Sequence, residues 1–486
     1  MELTAAQQDR VVGVLLGTAC GDALGAGYEF GPPLPDGTIV TMKGGGGYNW
    51  EPGEWTDDTS MAIPIVRAIA AGRDLRDDAV LDDIVAAWVD WAKTAPDVGI
   101  QLGAILRRTE RTAAAIREVA RQHHNHTGRS GGNGSLMRTA PIALAYLDDA
   151  DTLAVVARSV SSLTHFEADA GDACVLWCLA IRHAVLHGEL DVRVGLDHLP
   201  PERRELWAER ILQAEVNEPS TFTQNGWVVE ALQAAWSSTI ERSASTDTGD
   251  VPADHLRQSL ERAVRGGRDT DTVAAIAGGL VGARWGASAI PAEWRRIVHG
   301  WPGLDVRDLV SLAIQASTGG ISDASGWPVA RTVDYSSWSD LSTLVQHPHD
   351  KGVWLGGVGA LDRLPSEVTA VVSLCRVGVD QVPIGLERLD VWLIDSADPE
   401  LNPNLEFVLW DTADAIAALR ARGHVVLVHC VRAESRTPTV ATLYSARHLG
   451  IPLETARADV ARALPRSKPN SAFADALRPR YMDGSF

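Results

Sequence analysis

Thr56-Asp57-Asp58-Thr59 runs directly into the apolar helical stretch Met61 to Ala71, and Asp269-Thr270-Asp271-Thr272 runs in the same way into Val273 to Gly286. Asp and Thr at a helix start satisfy orphan amides and suit the positive end of the helix dipole, so capping accounts for either segment alone. The pair holds more than capping requires: four carboxylates with adjacent hydroxyls, an all-oxygen donor set for hard cations. Without a cation, four converging carboxylates would repel one another and retain protons. With two divalent ions they become a bridging cage for Mg²⁺ or Mn²⁺, and no His or Cys ligand is needed.

Amphipathic helical runs surround both segments. Ala79 to Lys93, Thr152 to Ser162, Ala170 to His187 and Gly226 to Ser238 are separated by short Gly, Pro and Asp-rich breaks. Residues 1–317 are therefore expected to form an all-α domain with two long loops, Gly31 to Trp55 and Gln122 to Asn133. The helical period fails over 318–351, where Gly319-Gly320, Ser325-Gly326 and Pro328 mark an expected linker. Over 352–486 the grammar changes. Val353 to Leu355, Ala370 to Leu374, Val391 to Ile394 and Val425 to His429 read as short strands, alternating with helices Pro403 to Arg422 and Thr437 to Leu449, and predict a smaller α/β domain.

Composition narrows the function classes. A net charge of −19, from 44 basic and 63 acidic residues, disfavours general binding to a nucleic-acid backbone. Five cysteines without a CxxC pair suit a reducing compartment better than a disulfide framework. The start of the chain shows no basic segment followed by an apolar one, and no uninterrupted apolar stretch approaches a membrane span, so a cytoplasmic protein without membrane partners is expected. His123, His124 and His126 sit in an expected polar loop without partners at ligand spacing and are not read as a metal site. Cys174 and Cys178 share a helical face and read as core, as does most of the Trp227, Val228, Leu232 and Trp236 stripe.

Five motifs in order, Gly21-Asp22-Ala23-Leu24-Gly25 with Glu29, Thr56-Asp57-Asp58-Thr59, Gly132-Asn133-Gly134-Ser135-Leu136-Met137-Arg138, Thr164-His165 and Arg268-Asp269-Thr270-Asp271-Thr272, resemble the ADP-ribosylglycohydrolases of the dinitrogenase-reductase-activating type. The resemblance spans about residues 8–317. It implies an all-α fold with a dinuclear Mg²⁺ or Mn²⁺ centre at the bottom of an ADP-ribose cleft. Thr56, Asp57 and Asp58 match the first ligand cluster, and Asp269, Asp271 and Thr272 the second. Arg268 stands where many members have glycine. Glu29 matches the acid that covers the metals and leaves when substrate enters, and His165 lies beside the ribose in the family pattern. The turn Gly131 to Ser135 can bring backbone amides close to a diphosphate. The Phe222 to Trp227 entry matches a region bordering the adenosine pocket of relatives. The implied reaction is hydrolysis of the N- or O-glycosidic bond at the anomeric carbon of ADP-ribose carried by a protein, nucleic acid or small molecule. Glu29, Asp57 and Asp271 are the candidates for accepting the water proton.

In the C-terminal part, the strand ending at His429 runs into Cys430-Val431-Arg432-Ala433-Glu434-Ser435-Arg436-Thr437 and a following helix. Cys and Arg six apart on a strand-to-helix turn can wrap amides around a phosphate, with the helix N-terminus lowering the thiol pKa. Cys430 is then a nucleophile, Arg436 a bidentate phosphate grip, and Thr437 an aid to breakdown of the thiophosphate. This resembles the dual-specificity subgroup of the protein-tyrosine-phosphatase superfamily over about 352–480, in which Asp395 matches the general acid and Asp398 is the fallback. The loop glycine of the family is Ala433 here, and Glu434 adds a negative charge where the phosphorylated substrate would bind. The competing reading is a protein that binds ADP-ribose or a phosphorylated partner without turning it over at one or both sites.

Overall fold

The structure is a computed structural model and describes residues 2–35, 37–241 and 251–477. The chain divides into two compact units. The first holds most of the chain up to Ile321, and the second holds Pro291–Arg296 and the chain from Ser322 onward. The last part of the expected α/β domain, 478–486, lies outside the described residues.

The first unit is helical. Its helices include α1 (Ala5–Gly25), α2 (Asp57–Ala70), α3 (Asp78–Trp91), α4 (Ile100–Leu106), α5 (Ala113–Thr127), α6 (Ile142–Ala145), α7 (Ala150–Ser161) and α8 (Ala168–His187). After them come α9 (Pro201–Val216), α10 (Val228–Thr239), α11 (Asp254–Arg265) and α12 (Thr270–Trp285). A two-stranded antiparallel ribbon, β1 (His299–Gly300) and β2 (Leu304–Asp305), precedes the long helix Val306–Thr318. Helix α5 continues through His126, so the three histidines lie on a helix end and not in a loop as expected.

Helix α1 corrects the membrane reading in part, because a window of mean hydropathy 1.4 makes it long and apolar enough to cross a bilayer. In that window 89% is buried inside the protein. The apolar character serves packing. Gly13, Gly17, Gly21 and Gly25 recur every fourth residue on one face of α1, and a Cβ at Gly17 or Gly21 would collide with the backbone of Gly278 or Ala274 in α12. Glycine lets the two helices meet main chain to main chain, which a side chain on either would prevent.

The second unit is built on a five-stranded sheet of order β3-β4-β7-β5-β6: β3 (Leu344–Gln346), β4 (Val353–Gly356), β5 (Ala370–Ser373), β6 (Glu387–Asp390) and β7 (Val426–His429). β3 is an antiparallel edge and the other pairings are parallel. The expected linker thus contributes a strand, because Leu344–Gln346 pairs with β4 and completes the sheet edge. The strand expected at Val391 to Ile394 is displaced: the ladder to β5 uses Glu387–Asp390, and 391–394 leave the sheet as irregular chain. Helices Leu405–Ala421 and Arg436–His448 pack on the sheet, and Ala292 joins the same core. In parallel sheets ligands bind beyond the C-terminal strand ends, and β7, the middle strand, ends at His429, one residue before Cys430.

Candidate functional site

The glycine face of α1 delivers the first acid. Asp22, next to Gly21, is completely buried, and it caps α2 from a different helix. Its Oδ1 accepts the Thr56 amide and the Thr56 hydroxyl, each at 2.8 Å, while Oδ2 accepts the Thr59 amide at 2.9 Å. Neither Thr56 nor Asp269 caps its own helix through its side chain. Capping therefore does not explain the two acidic segments, and their carboxylates are left to meet each other. The Thr56 hydroxyl joins them: it lies 3.0 Å from Asp58 Oδ2 and 3.3 Å from Asp271 Oδ2.

Two overlapping groups of carboxylate oxygens result, Asp22 with Asp58 and Asp271, and Glu29 with Asp269 and Asp271, each within 4.8 Å. Burial first, and then repulsion from neighbouring carboxylates, pushes Asp57, Asp58 and Asp271 well above the usual carboxylate range. The same causes raise Glu29 to about 9, and burial raises Asp22 to about 6. Asp269 is raised by burial against opposing hydrogen bonds from Asn133 and Thr272. Glu29 Oε2 and Asp58 Oδ1 are shut away without a hydrogen-bond partner. Buried, unsatisfied and mutually repulsive oxygens fit a hard divalent cation, which removes all three penalties together.

The substrate-side residues divide. Glu29 is half-buried on a loop tied to the second cluster by main chain, through Phe30 N to Arg268 O at 2.6 Å and Arg268 N to Gly31 O at 2.7 Å. Arg268 has φ of +67°, a left-handed position, which explains why glycine would suit it. Asn133 serves as a strut, donating from Nδ2 to Asp269 Oδ2 at 2.8 Å and from its amide to Gly226 O at 3.1 Å. That amide is committed and not aimed at a diphosphate. Ser135 offers no hydroxyl to the turn: its side chain is completely buried, within 3.0 Å of Ser161 Oγ and 3.6 Å of Cys174 Sγ, because the turn directs it into the core. Gly132 and Gly134 face the ring of His165. Trp227, expected mainly as core, is one-third exposed and lines a hollow of about 350 Å³ with Phe222, Arg210 and Glu230, while Gly132 bridges to it by main chain.

In the second unit Cys430 is buried at the end of β7, followed by a loop and the helix starting at Arg436. Asp395 reaches that loop. Its Oδ1 accepts from Ser435 Oγ at 2.7 Å and Asn470 Nδ2 at 3.1 Å, and its Oδ2 lies 3.7 Å from Arg436 Nε. Arg436 is held by Nη1 bonds to the carbonyls of Leu374 (2.7 Å) and Leu393 (3.1 Å), which leaves Nε buried with no hydrogen bond. Asp398, the fallback acid, instead caps the turn at Pro399 by accepting Glu400 N at 3.0 Å. Glu434 is compensated by Arg432 at 3.0 Å and Arg466 at 3.1 Å. The Thr437 hydroxyl is buried, 3.5 Å from Gly356 O. Ala433 has φ of +57°. Ala433→Gly should therefore stabilise the chain by about 0.5–1 kcal/mol, relief of left-handed strain less the extra freedom of the unfolded glycine, read as a higher Tm by calorimetry.

The model of the family described as ADP-ribosylglycohydrolase matches residues 3–322. The chain belongs to that family. It is 29% identical over 297 residues to ADP-ribosyl-[dinitrogen reductase] glycohydrolase of Rhodospirillum rubrum, covering 59% of this chain and 89% of the relative. It is 28% identical over 295 residues to ADP-ribosylarginine hydrolase Tri1 of Pseudomonas putida (strain GB-1), covering 59% and 73%. Among solved structures, human DUSP28 aligns with 29% of this chain and 93% of its own at 27% identity, with a TM-score of 0.26.

Two acids of this ADP-ribosylglycohydrolase escaped the sequence reading. Asp22 stood inside a quoted motif, yet only its bonds from Thr56 and Thr59 show that it reaches α2. Asp97 carried no motif at all. It is raised by burial, repels Asp57 and Glu29, and accepts a hydrogen bond from Tyr48. The following residue but one, Gly99, donates its amide to Asp57. The acidic nest also sets a pH dependence. Asp22 has a folded pKa of about 6 against an unfolded value of about 3.9, so its contribution is fully present below about 4 and lost as pH rises through 6. Chelator-treated protein should accordingly gain stability between pH 7 and 5. Added Mn²⁺ or Mg²⁺, which binds the ionised form, should raise Tm more at pH 7.5 than at 5.5; at 100 times Kd the gain is about 2.7 kcal/mol.

Proposed function

We propose that the chain hydrolyses the glycosidic bond at the anomeric carbon of ADP-ribose, releasing it from a modified protein, nucleic acid or small molecule. The observation that carries this is the meeting of the 56–58 and 269–272 segments around the Thr56 hydroxyl. Thr56, Asp57, Asp58, Asp269, Asp271 and Thr272 would hold two divalent cations, whose chemistry when bound is charge stabilisation at the ribose oxygens and the developing oxocarbenium centre. The chain's own groups do the rest. Asn133 steadies Asp269, and the Arg268 backbone holds the loop that carries Glu29 beside the cluster. Glu29, Asp57 and Asp271 are the candidates for taking up the water proton. The Trp227 face in its hollow offers a stacking surface for a nucleobase.

The names of the relatives make arginine-linked ADP-ribose the first substrate to try. Purified chain with Mn²⁺ should release ADP-ribose from an arginine-, serine- or nucleobase-linked substrate. No release from any of them, with cation confirmed bound, rejects the assignment. Tight ADP-ribose binding without release would identify a reader instead.

For the second unit we propose a cysteine-dependent phosphatase. Cys430 would attack phosphorus, Asp395 would protonate the leaving oxygen, and Arg436 would take two phosphate oxygens through Nε and a terminal nitrogen. The strained Ala433 favours a slow enzyme, because the loop amides are held by a residue that resists their conformation.

A further inference from the structure

Beneath the glycine turn lies a buried chain of three side chains that the reaction above does not use. Arg138 and Thr164 are completely buried and His165 is 3% exposed. Arg138 Nη2 donates to Thr164 Oγ1 at 2.7 Å, and Thr164 Oγ1 lies 2.8 Å from His165 Nδ1. The guanidinium stacks over Trp88, 4.1 Å from the ring centroid. Gln101 Nε2 holds the Thr164 and Ser130 carbonyls at 3.1 Å each, which locks the backbone beneath the hydroxyl.

Hydrogen-bond logic gives this chain one direction. A guanidinium has only donors, so the Thr164 oxygen must accept from Arg138. The Thr164 proton is then free to point elsewhere, and its bonded neighbour with a lone pair is His165 Nδ1. A buried hydroxyl proton without an acceptor would be costly, so Nδ1 accepts. The imidazole must therefore carry its single proton on Nε2. That nitrogen faces the turn: a Cβ on Gly132 would lie 3.3 Å from Nε2, and one on Gly134 would lie 3.2 Å from Cε1. Glycine at both positions keeps the space in front of the ring open.

We propose that Arg138 and Thr164 are positioning residues which fix His165 as a neutral Nε2–H donor, aimed across the Gly132–Gly134 turn at an oxygen of the bound ADP-ribosyl group. The ligand in this inference rests on the glycohydrolase reading, whereas the direction of the relay does not. Burial, followed by the charge of Arg138, keeps the ring well below the ordinary histidine pKa, which agrees with a neutral donor. Arg138, lowered by burial to about 9, stays charged at neutral pH and so keeps its donor role.

The test uses the full chain with ring-¹⁵N histidine, the His165 resonance being assigned by its loss in His165→Gln. The expected wild-type spectrum shows the proton on Nε2 of His165. Thr164→Val, which keeps shape and removes the hydroxyl, should take the hydrogen bond off His165 Nδ1, read as a shift of its ¹⁵N resonance, and weaken ADP-ribose binding by about tenfold in calorimetry, the loss of one hydrogen bond to a buried group. Thr164→Ser should restore both readouts. A wild-type His165 protonated on Nδ1 overturns the proposal, as does a Thr164→Val protein with an unchanged Nδ1 resonance and unchanged binding. The wild-type spectrum decides the relay even where a variant does not fold. A wild-type chain that binds no ADP-ribose while its Nε2–H signal is present defeats the ligand assignment and, with it, the role proposed for this donor, but not the relay.

Discussion

Asp271→Asn should lower ADP-ribose release by about 100-fold or more, with the deficit in kcat rather than in folding. Asp271 is the one residue common to both groups of converging oxygens, and its Oδ2 also meets the Thr56 hydroxyl. The substitution therefore removes a charge from both proposed cation positions at once, while asparagine keeps the volume. The stability readout runs the opposite way. Because Asp271 is held far above the usual carboxylate range by burial and by Asp58 and Glu29, its removal relieves repulsion in chelator, so metal-free Asp271→Asn should melt higher than metal-free wild type. Added Mn²⁺ should raise its Tm less than it raises that of wild type. A variant that melts lower in chelator and keeps the full Mn²⁺ shift would mean that the residue does not sit at a cation site.

Cys430→Ser should reduce p-nitrophenyl phosphate hydrolysis by about three orders of magnitude or more and leave ADP-ribose release unchanged. The side chain is nearly isosteric and buried at 2% exposure, so the fold should tolerate it. Serine at that position lacks a base to ionise it: His429 is turned to Ser373, with Nε2 2.9 Å from its Oγ, and burial lowers that imidazole to about 4. Equal rates in the two proteins would remove Cys430 from the chemistry and leave the loop as a binding element.

The acidic segments were legible because their excess of carboxylates exceeds what a helix start uses, and the same holds for a Cys and an Arg at phosphate-loop spacing. A sequence turn does not say which side chains it throws inward; in the structure Ser161 and Cys174 claim the Ser135 hydroxyl. The strand at Val391 to Ile394 was misplaced by four residues, because a β-branched run looks the same whether it pairs or merely follows a paired segment. Asp398, the fallback acid, has its carboxylate serving the local turn at Pro399.

By itself the chain's order of residues determined a helical first part, an α/β second part and which oxygens and thiol are candidates for chemistry, since periodicity and residue type are local properties. Tertiary structure alone decided that Asp22 caps a distant helix, that Asp97 joins the acidic nest and that Thr164 meets His165 beside the glycine turn. Those facts depend on helices meeting through glycine at backbone distance and on which buried donor finds which acceptor, and neither is written in the spacing of residues along one strand or helix.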